Sequence, residues 1–83
     1  NLARYGAEHN IFVNSISPGI IETDLTREEL KSGGGAKVVG LTLLKRPGVE
    51  MDVSSIALML ASNDQNYLTG QIISPNGGSY FTV

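Results

Sequence analysis

The sequence predicts an α/β fold in which two parallel strands are joined by a helical crossover. Residues 11–16 are rich in β-branched and aromatic side chains, and residues 71–74 form a second short apolar run. Between them, apolar residues recur at helical spacing from Val53 onward, which predicts an amphipathic helix over 51–62. A strand, a helical crossover and a second strand make a βαβ unit with parallel strands.

The elements are expected in the order helix end, strand, long loop, helix and strand. Residues 1–9 contain helix-favouring Leu, Ala, Arg and Glu, which predicts the last turns of a helix. The apolar start of the 11–16 strand is typical of a sheet covered on both faces. A Pro-Gly pair at 18–19 ends this strand, because Pro cannot extend the ladder. Turn residues at 75–78 end the 71–74 strand.

The long loop opens with a short helical signal. Thr26 stands three residues before a glutamate, the spacing of a capping box, which predicts a helix over 26–31. Three consecutive glycines predict a flexible break at 32–36, whereas the periodicity of 37–44 is consistent with a short helix or an irregular lid. The Arg-Pro-Gly triplet at 46–48 predicts a turn.

Composition limits the classes of function. The chain has 83 residues, 41% hydrophobic and 17% charged, which is ordinary for a globular domain and argues against wholesale disorder. Its net charge of −2, without a Lys or Arg cluster, argues against partners such as nucleic acid or an anionic membrane. The absence of cysteine excludes a disulfide framework and a Cys-based metal site, and fits a cytoplasmic location.

The predicted elements are too few to cover their own sheet. One main helix cannot shield both faces of two strands, and the 11–16 strand would leave an open edge of backbone groups. We therefore expect further parallel strands and helices on the N-terminal side. Residues 1–83 are accordingly expected to form the C-terminal part of a single larger domain.

Five segments then form a recognisable series. The first is a strand ending in Val-Asn, followed by Pro-Gly-x-x-x-Thr at 18–23. The others are Leu-Ala-Arg-Tyr-Gly at 2–6 and the downstream runs 58–64, 67–71 and 76–78. In order and spacing, the series resembles the C-terminal part of the short-chain dehydrogenase/reductase family. Within that family it is most similar to the 3-oxoacyl-(acyl-carrier-protein) reductases.

This resemblance implies a Rossmann-type, doubly wound parallel sheet and hydride transfer between an NAD(P) cofactor and a carbonyl or alcohol substrate, acyl-carrier-bound substrates included. The implied cofactor-binding residues are Pro18, Gly19, Ile21 and Thr23. Gly19 is expected to let the backbone approach the flat nicotinamide ring. Backbone groups of Ile21 are expected to bind the carboxamide, and the Thr23 hydroxyl to reach the carboxamide or the nearby phosphate. The resemblance further implies a substrate-binding loop at 24–44 and assembly into tetramers or dimers.

The reactive residues of the family are not matched in this chain. No strand precedes the three glycines at 33–35, so they do not form the dinucleotide fingerprint. The family's Ser and Tyr-x-x-x-Lys are missing, since Tyr5 is followed four residues later by His9. We therefore assign no catalytic residue and no metal ligand.

Several features have simpler interpretations. The Pro-Gly pair could be an ordinary turn, and Thr23 could cap a helix while also contacting a cofactor. The stripe over 53–61 is expected to pack in a core. Four of the eight acidic residues are expected to form a solvated start to a short helix, and these are Glu22, Asp24, Glu28 and Glu29. The aromatic residues expected in packing or subunit contacts are Tyr67, Tyr80 and Phe81.

Two alternatives to an enzyme remain at this point. The chain could be a stand-alone binding or oligomerisation module that lacks catalysis. It could also belong to an inactive relative that acts as a partner subunit.

Overall fold

The computed structural model describes residues 1–79. In chain order its elements are α1 (Leu2–Ala7), β1 (Ser15–Ile16), α2 (Arg27–Lys31), α3 (Gly33–Gly40), α4 (Glu50–Ala61) and β2 (Ile72–Ile73). The strands pair in parallel, Ser15 with Ile72 and Ile16 with Ile73. The predicted βαβ arrangement, with α4 in the crossover, is therefore confirmed.

Helices α1 and α4 lie within one or two residues of their predicted bounds, because local capping fixes their starts. The Asn1 side chain accepts a hydrogen bond from the Arg4 N–H at 2.9 Å. At α4, the Asp52 carboxylate accepts from the Val49 N–H at 2.8 Å. Acidic side chains in the first turn, at Glu50 and Asp52, also favour this end of the helix dipole.

Both strands are shorter than predicted, because side chains replace part of the ladder between them. The Val13 N–H donates to Thr69 Oγ1 at 3.0 Å. The Asn14 side chain donates to the Leu68 carbonyl at 2.9 Å and accepts from the Gln71 N–H at 3.0 Å. The first half of the predicted strand is thus tied to its neighbour without a regular backbone ladder.

Helix α2 forms where a helix was predicted, but the predicted capping box was wrong. Thr26 occupies the N-cap position and makes no side-chain hydrogen bond to the first N–H groups of the helix. Its hydroxyl turns back toward Ile21 and Thr23. The spacing that indicated a cap therefore belongs to a different hydrogen-bond network.

The flexible break predicted at 32–36 was also wrong, because the three glycines form the first turn of α3. Gly33 has a φ of 57°, which a glycine adopts without steric cost as the chain turns from α2 into α3. Gly35 is buried, and a Cβ at this position would overlap the Glu29 carbonyl group of α2. The glycines thus allow two short helices to pack closely at this corner.

Within residues 1–79 no apolar side chain is fully buried, and the fully buried side chain is that of Thr42. The 53–61 stripe, predicted to be core, is only half-buried or exposed along its length. Tyr67, predicted to pack, is 98% exposed, while Tyr80 and Phe81 lie outside the described residues. These apolar faces are therefore available to pack against further polypeptide, of this chain or another.

The helices of the described part are all short. None of them, within residues 1–79, is long and apolar enough to span a lipid bilayer.

The adjacent glycines of α3 give a matched test of the α2–α3 packing. In the intact natural protein, Gly35→Ala should lower the free energy of unfolding by about 1–3 kcal/mol, because the new methyl overlaps the Glu29 backbone. Gly34→Ala meets no atom within 4 Å and should be neutral or slightly stabilising, since alanine favours the helix. Urea denaturation measures both; equal effects of the two variants would contradict this packing.

Candidate functional site

Two backbone hydrogen bonds hold the start of the turn that follows β1. Ser17 N–H donates to the Ile73 carbonyl at 2.8 Å, and Gly19 N–H donates to the Pro75 carbonyl at 3.2 Å. These two bonds continue the contact between the chains of β1 and β2 beyond their ends. Pro18 lies between them and carries no N–H to donate. The first two predicted site residues, Pro18 and Gly19, are thus held against the segment that follows β2.

Gly19 is required by the chain's own backbone. A Cβ at this position would lie 2.7 Å from Asn76 Cα and 2.8 Å from Asn76 Cβ. Real Cβ atoms do not approach so closely, so a larger residue would push the two segments apart. The contact with Asn76 is therefore one reason for a glycine at position 19. The expected approach of Gly19 to a ligand ring stays a prediction.

Ile21 sits at the centre of an isolated parallel bridge to Gly48. Gly48 N–H donates to the Ile20 carbonyl at 2.8 Å, and Glu22 N–H donates to the Gly48 carbonyl at 2.8 Å. Peptide units are planar and trans, so the N–H and C=O of Ile21 itself point away from Gly48. A turn was predicted at 46–48, but its last residue, Gly48, pairs with Ile21 in a parallel bridge.

The opposite edge of Ile21 faces Thr26. The Thr26 hydroxyl donates to the Ile21 carbonyl at 3.0 Å. The same oxygen accepts from the Thr23 N–H at 2.8 Å, and it lies 3.2 Å from the Thr23 hydroxyl oxygen. Ile21 and Thr23, two predicted site residues, are thus brought together by one side chain.

Thr26 was absent from the predicted site residues. Its signal in the sequence was the repeated threonine, Thr23-x-x-Thr26, which fits a turn-stabilising hydroxyl as well as a helix cap. Only the missing cap at α2 distinguishes the two roles, and that requires the structure.

A concavity of about 430 Å³ opens between the turn and the two short helices. Its lining residues from the turn are Gly19, Ile20 and Ile21. Its lining residues from the segment predicted as the substrate loop are Thr26, Glu29, Leu30, Gly35 and Val38. Thr23 adjoins this wall through its bonds to Thr26, so the turn and the loop share one pocket.

Two of the acidic residues predicted to be solvated share one cation. Arg27 Nη1 lies 3.1 Å from Asp24 Oδ1, and Arg27 Nε lies 3.4 Å from Glu22 Oε2. Hydrogen bonds to Glu22 and then Asp24 raise the pKa of Arg27, so the guanidinium stays charged. Exposed pairs of this kind contribute little to stability, and here one guanidinium offsets only part of the negative charge of two carboxylates beside the turn.

Asp52 supports the far side of the Ile21 bridge. Its Oδ2 accepts from Val49 N–H at 2.8 Å and lies 3.2 Å from Arg46 Nη1. The Val49 N–H and, to a lesser extent, Arg46 lower the pKa of Asp52. The segment that carries Gly48 is therefore anchored on the first turn of α4.

The chain matches known proteins along most of its length. The sequence family described as enoyl-(acyl carrier protein) reductase matches residues 1–80. The 3-oxoacyl-(acyl-carrier-protein) reductase of Buchnera aphidicola subsp. Baizongia pistaciae is 42% identical over 80 residues, which cover 96% of this chain and 32% of that protein. The chain thus spans about a third of the length of the curated relatives it matches.

Solved structures give the same result. YwfH, an NADPH-dependent reductase involved in bacilysin biosynthesis, is 34% identical with a TM-score of 0.83, covering 100% of this chain and 35% of that one. A short-chain type dehydrogenase/reductase from Mycobacterium ulcerans is 34% identical with a TM-score of 0.80, covering 94% and 30%. These matches confirm the predicted Rossmann-type α/β fold.

The contact between Gly19 and Asn76 gives a direct test of how the turn is held. Gly19→Ala should lower the free energy of unfolding of the intact natural protein by about 1–3 kcal/mol, because the added methyl meets the Asn76 backbone. Gly40→Ala is the control, since nothing lies within 4 Å of a Cβ there. Thermal denaturation would contradict this account if the two variants were equally stable.

The carboxylate of Asp52 gives a test through pH. A pKa held below the ordinary 3.8 means that the ionised form stabilises the fold. This contribution is complete above the unfolded pKa and disappears as pH falls through the folded pKa. Asp52→Asn should therefore lower Tm at neutral pH, and its difference from the wild type should shrink below about pH 5.

The control for that test is Asp64→Asn, because Asp64 forms no ion pair within residues 1–79. A difference in Tm that stays constant from pH 7 to about pH 3, across the usual pKa range of carboxylates, would show that the charge of Asp52 is not responsible.

Proposed function

The chain belongs to the short-chain dehydrogenase/reductase family, and on that premise we propose that the whole protein transfers hydride between NAD(P)H and a carbonyl or alcohol. The chain spans about a third of its relatives, so the reaction is assigned to the whole protein. Residues 1–83 form the C-terminal part of a single Rossmann-type NAD(P)-binding domain. In this proposal they bind the nicotinamide end of the cofactor.

The observation that carries the proposal is the unpartnered backbone N–H of Ile21, a half-buried residue that lines the pocket. Within residues 1–79, no group accepts a hydrogen bond from the Ile21 N–H, which points away from Gly48. The Thr23 hydroxyl lies beside the same edge. A carboxamide carries one acceptor oxygen and two donor hydrogens, and this pair of groups matches it.

The pocket next to this edge also fits the group. Its volume of about 430 Å³ is in the usual range for small-molecule sites. Its wall includes apolar side chains of Ile20, Ile21, Leu30 and Val38, which suit the flat face of a ring. Pro18 and Gly19 bring the chain to this point from the end of β1, where ligands of parallel sheets bind.

The nicotinamide, when bound, supplies or accepts the hydride. The residues of this chain orient it: Ile21 and Thr23 fix the rotation of the carboxamide and hence the ring face that meets the substrate. Helices α2 and α3, which line the other side of the pocket, are placed to exclude water and to contact the substrate.

The relatives support a finer proposal for the substrate. The Buchnera protein is a 3-oxoacyl-(acyl-carrier-protein) reductase, and we therefore place 3-oxoacyl groups, carrier-bound or as smaller thioesters, first among the carbonyl substrates. The exposed apolar side chains on α4 and around Tyr67 support assembly into dimers or tetramers. The absence of cysteine supports a reducing, cytoplasmic environment.

The mass of the natural polypeptide distinguishes this proposal from the stand-alone module. These 83 residues have a mass of 8.8 kDa. A much heavier natural chain supports the enzyme. A folded natural chain of about this mass, without affinity for NAD(P)H, would support the module instead.

The Thr23 hydroxyl gives the test of cofactor binding. In the intact natural protein, Thr23→Val should weaken NADPH or NADH binding by about three- to tenfold, the effect of losing one hydrogen bond. Fluorescence titration of the dinucleotide measures it. Ser55→Ala, an exposed change on α4, is the control and should bind as the wild type does. A wild-type protein that binds neither dinucleotide would refute the proposed function.

A further inference from the structure

We propose that Thr26 is a positioning residue for residues 21–23, the cofactor segment. Its hydrogen bonds set which groups of this segment donate to the ligand and which accept from it. Its hydroxyl leaves the Ile21 N–H as a donor toward the ligand and makes the Thr23 hydroxyl oxygen an acceptor. The inference rests on the proposed function, because the ligand is the nicotinamide carboxamide. Thr26 itself acts through its two neighbours.

The Thr26 hydroxyl can make only a limited number of hydrogen bonds. A threonine hydroxyl has one proton to donate and two lone pairs to accept. Its oxygen lies 3.0 Å from the Ile21 carbonyl but 3.5 Å from the Thr23 carbonyl, so the proton goes to Ile21. One lone pair accepts from the Thr23 N–H at 2.8 Å.

The bonds of Thr26 fix the role of the Thr23 hydroxyl. Its oxygen lies 3.2 Å from that of Thr26, and one of the two must donate. The Thr26 proton is already directed to Ile21, so Thr23 is the donor and fills the second lone pair of Thr26. The Thr23 oxygen then has no proton for another partner and offers only lone pairs.

An acceptor oxygen at Thr23 selects a ligand group that donates. A phosphate at neutral pH has only acceptor oxygens toward such a hydroxyl, whereas the NH₂ of a carboxamide donates. The acceptor oxygen of Thr23 therefore takes the carboxamide NH₂, and the Ile21 N–H takes the carboxamide oxygen. Of the two partners that the sequence left open for Thr23, the hydroxyl network selects the carboxamide.

The position of Thr26 at α2 supports this role. A threonine at the N-cap ordinarily uses its oxygen to accept from the first N–H groups of the helix. Here the helix has no side-chain cap, and the hydroxyl makes its bonds within the turn instead. The Thr26 side chain therefore stabilises the segment 21–23 and leaves the N-terminus of α2 without a side-chain cap.

The test uses two forms of the oxidised cofactor that differ at one group. In the 3-acetylpyridine analogue a methyl replaces the carboxamide NH₂, and the carbonyl oxygen is retained. The wild-type intact protein should bind the natural cofactor about three- to tenfold more tightly than this analogue, the effect of one lost hydrogen bond. Thr26→Val should bring the ratio of the two Kd values close to one, since the freed Thr23 hydroxyl has no fixed direction. Thr26→Ser keeps the hydroxyl and should restore the wild-type ratio.

Two controls separate positioning from loss of structure. Thr69→Val removes a hydroxyl that accepts from Val13 N–H, so it should lower Tm without changing the ratio. The second control is ADP-ribose, or its 2′-phosphate if NADP is preferred, because this ligand lacks the nicotinamide. Its Kd should be the same in the wild type and in Thr26→Val.

The outcomes distinguish the two proposals. A wild type that binds neither natural dinucleotide overturns the proposed function. A wild type that binds the natural cofactor and the analogue equally overturns the acceptor role of Thr23, and this result needs no variant to fold. A Thr26→Val protein that keeps the wild-type ratio, or that loses ADP-ribose binding to the same extent, overturns the positioning role.

Discussion

The parallel bridge between Ile21 and Gly48 is the constraint on which the site depends. It uses the Ile20 carbonyl and the Glu22 N–H, while the Ile21 carbonyl accepts from Thr26 and the Ile21 N–H has no acceptor within residues 1–79. Gly48 is in turn held through Asp52 at the start of α4, while the turn begins from the paired ends of β1 and β2. The site therefore receives its geometry from three parts of the chain that are distant in sequence.

The close approaches in this region are made possible by glycine. Gly19 packs against the backbone of Asn76, and Gly35 packs against the backbone of α2. One approach fixes the turn and the other fixes the helix pair on the opposite wall of the pocket. By contrast, the outer faces of α4 and the strands bury little apolar surface within residues 1–79 and are available to pack against further polypeptide.

Sequence reasoning found the features that depend on local patterns. The α4 helix has a clear apolar period, and the strand-ending turn has Pro18 and Gly19, so both were predicted at their observed places. The Gly48 bridge was missed because its partner is distant and leaves no local signal. A short helix was one of two alternatives for 37–44, but the first turn of α3 was missed because three glycines have low intrinsic helix propensity, which packing against Glu29 overrides. Thr26 was misassigned because its spacing serves a cap and a turn equally well.

In the proposed function, the Ile21 N–H and the Thr23 hydroxyl hold the nicotinamide carboxamide. A crystal structure of the intact natural protein with NADPH tests it most directly. We expect the carboxamide oxygen at about 2.7–3.2 Å from the Ile21 nitrogen, with the carboxamide nitrogen at a similar distance from Thr23 Oγ1. A nicotinamide bound elsewhere, or a Thr23 hydroxyl that contacts only phosphate oxygens, would contradict it.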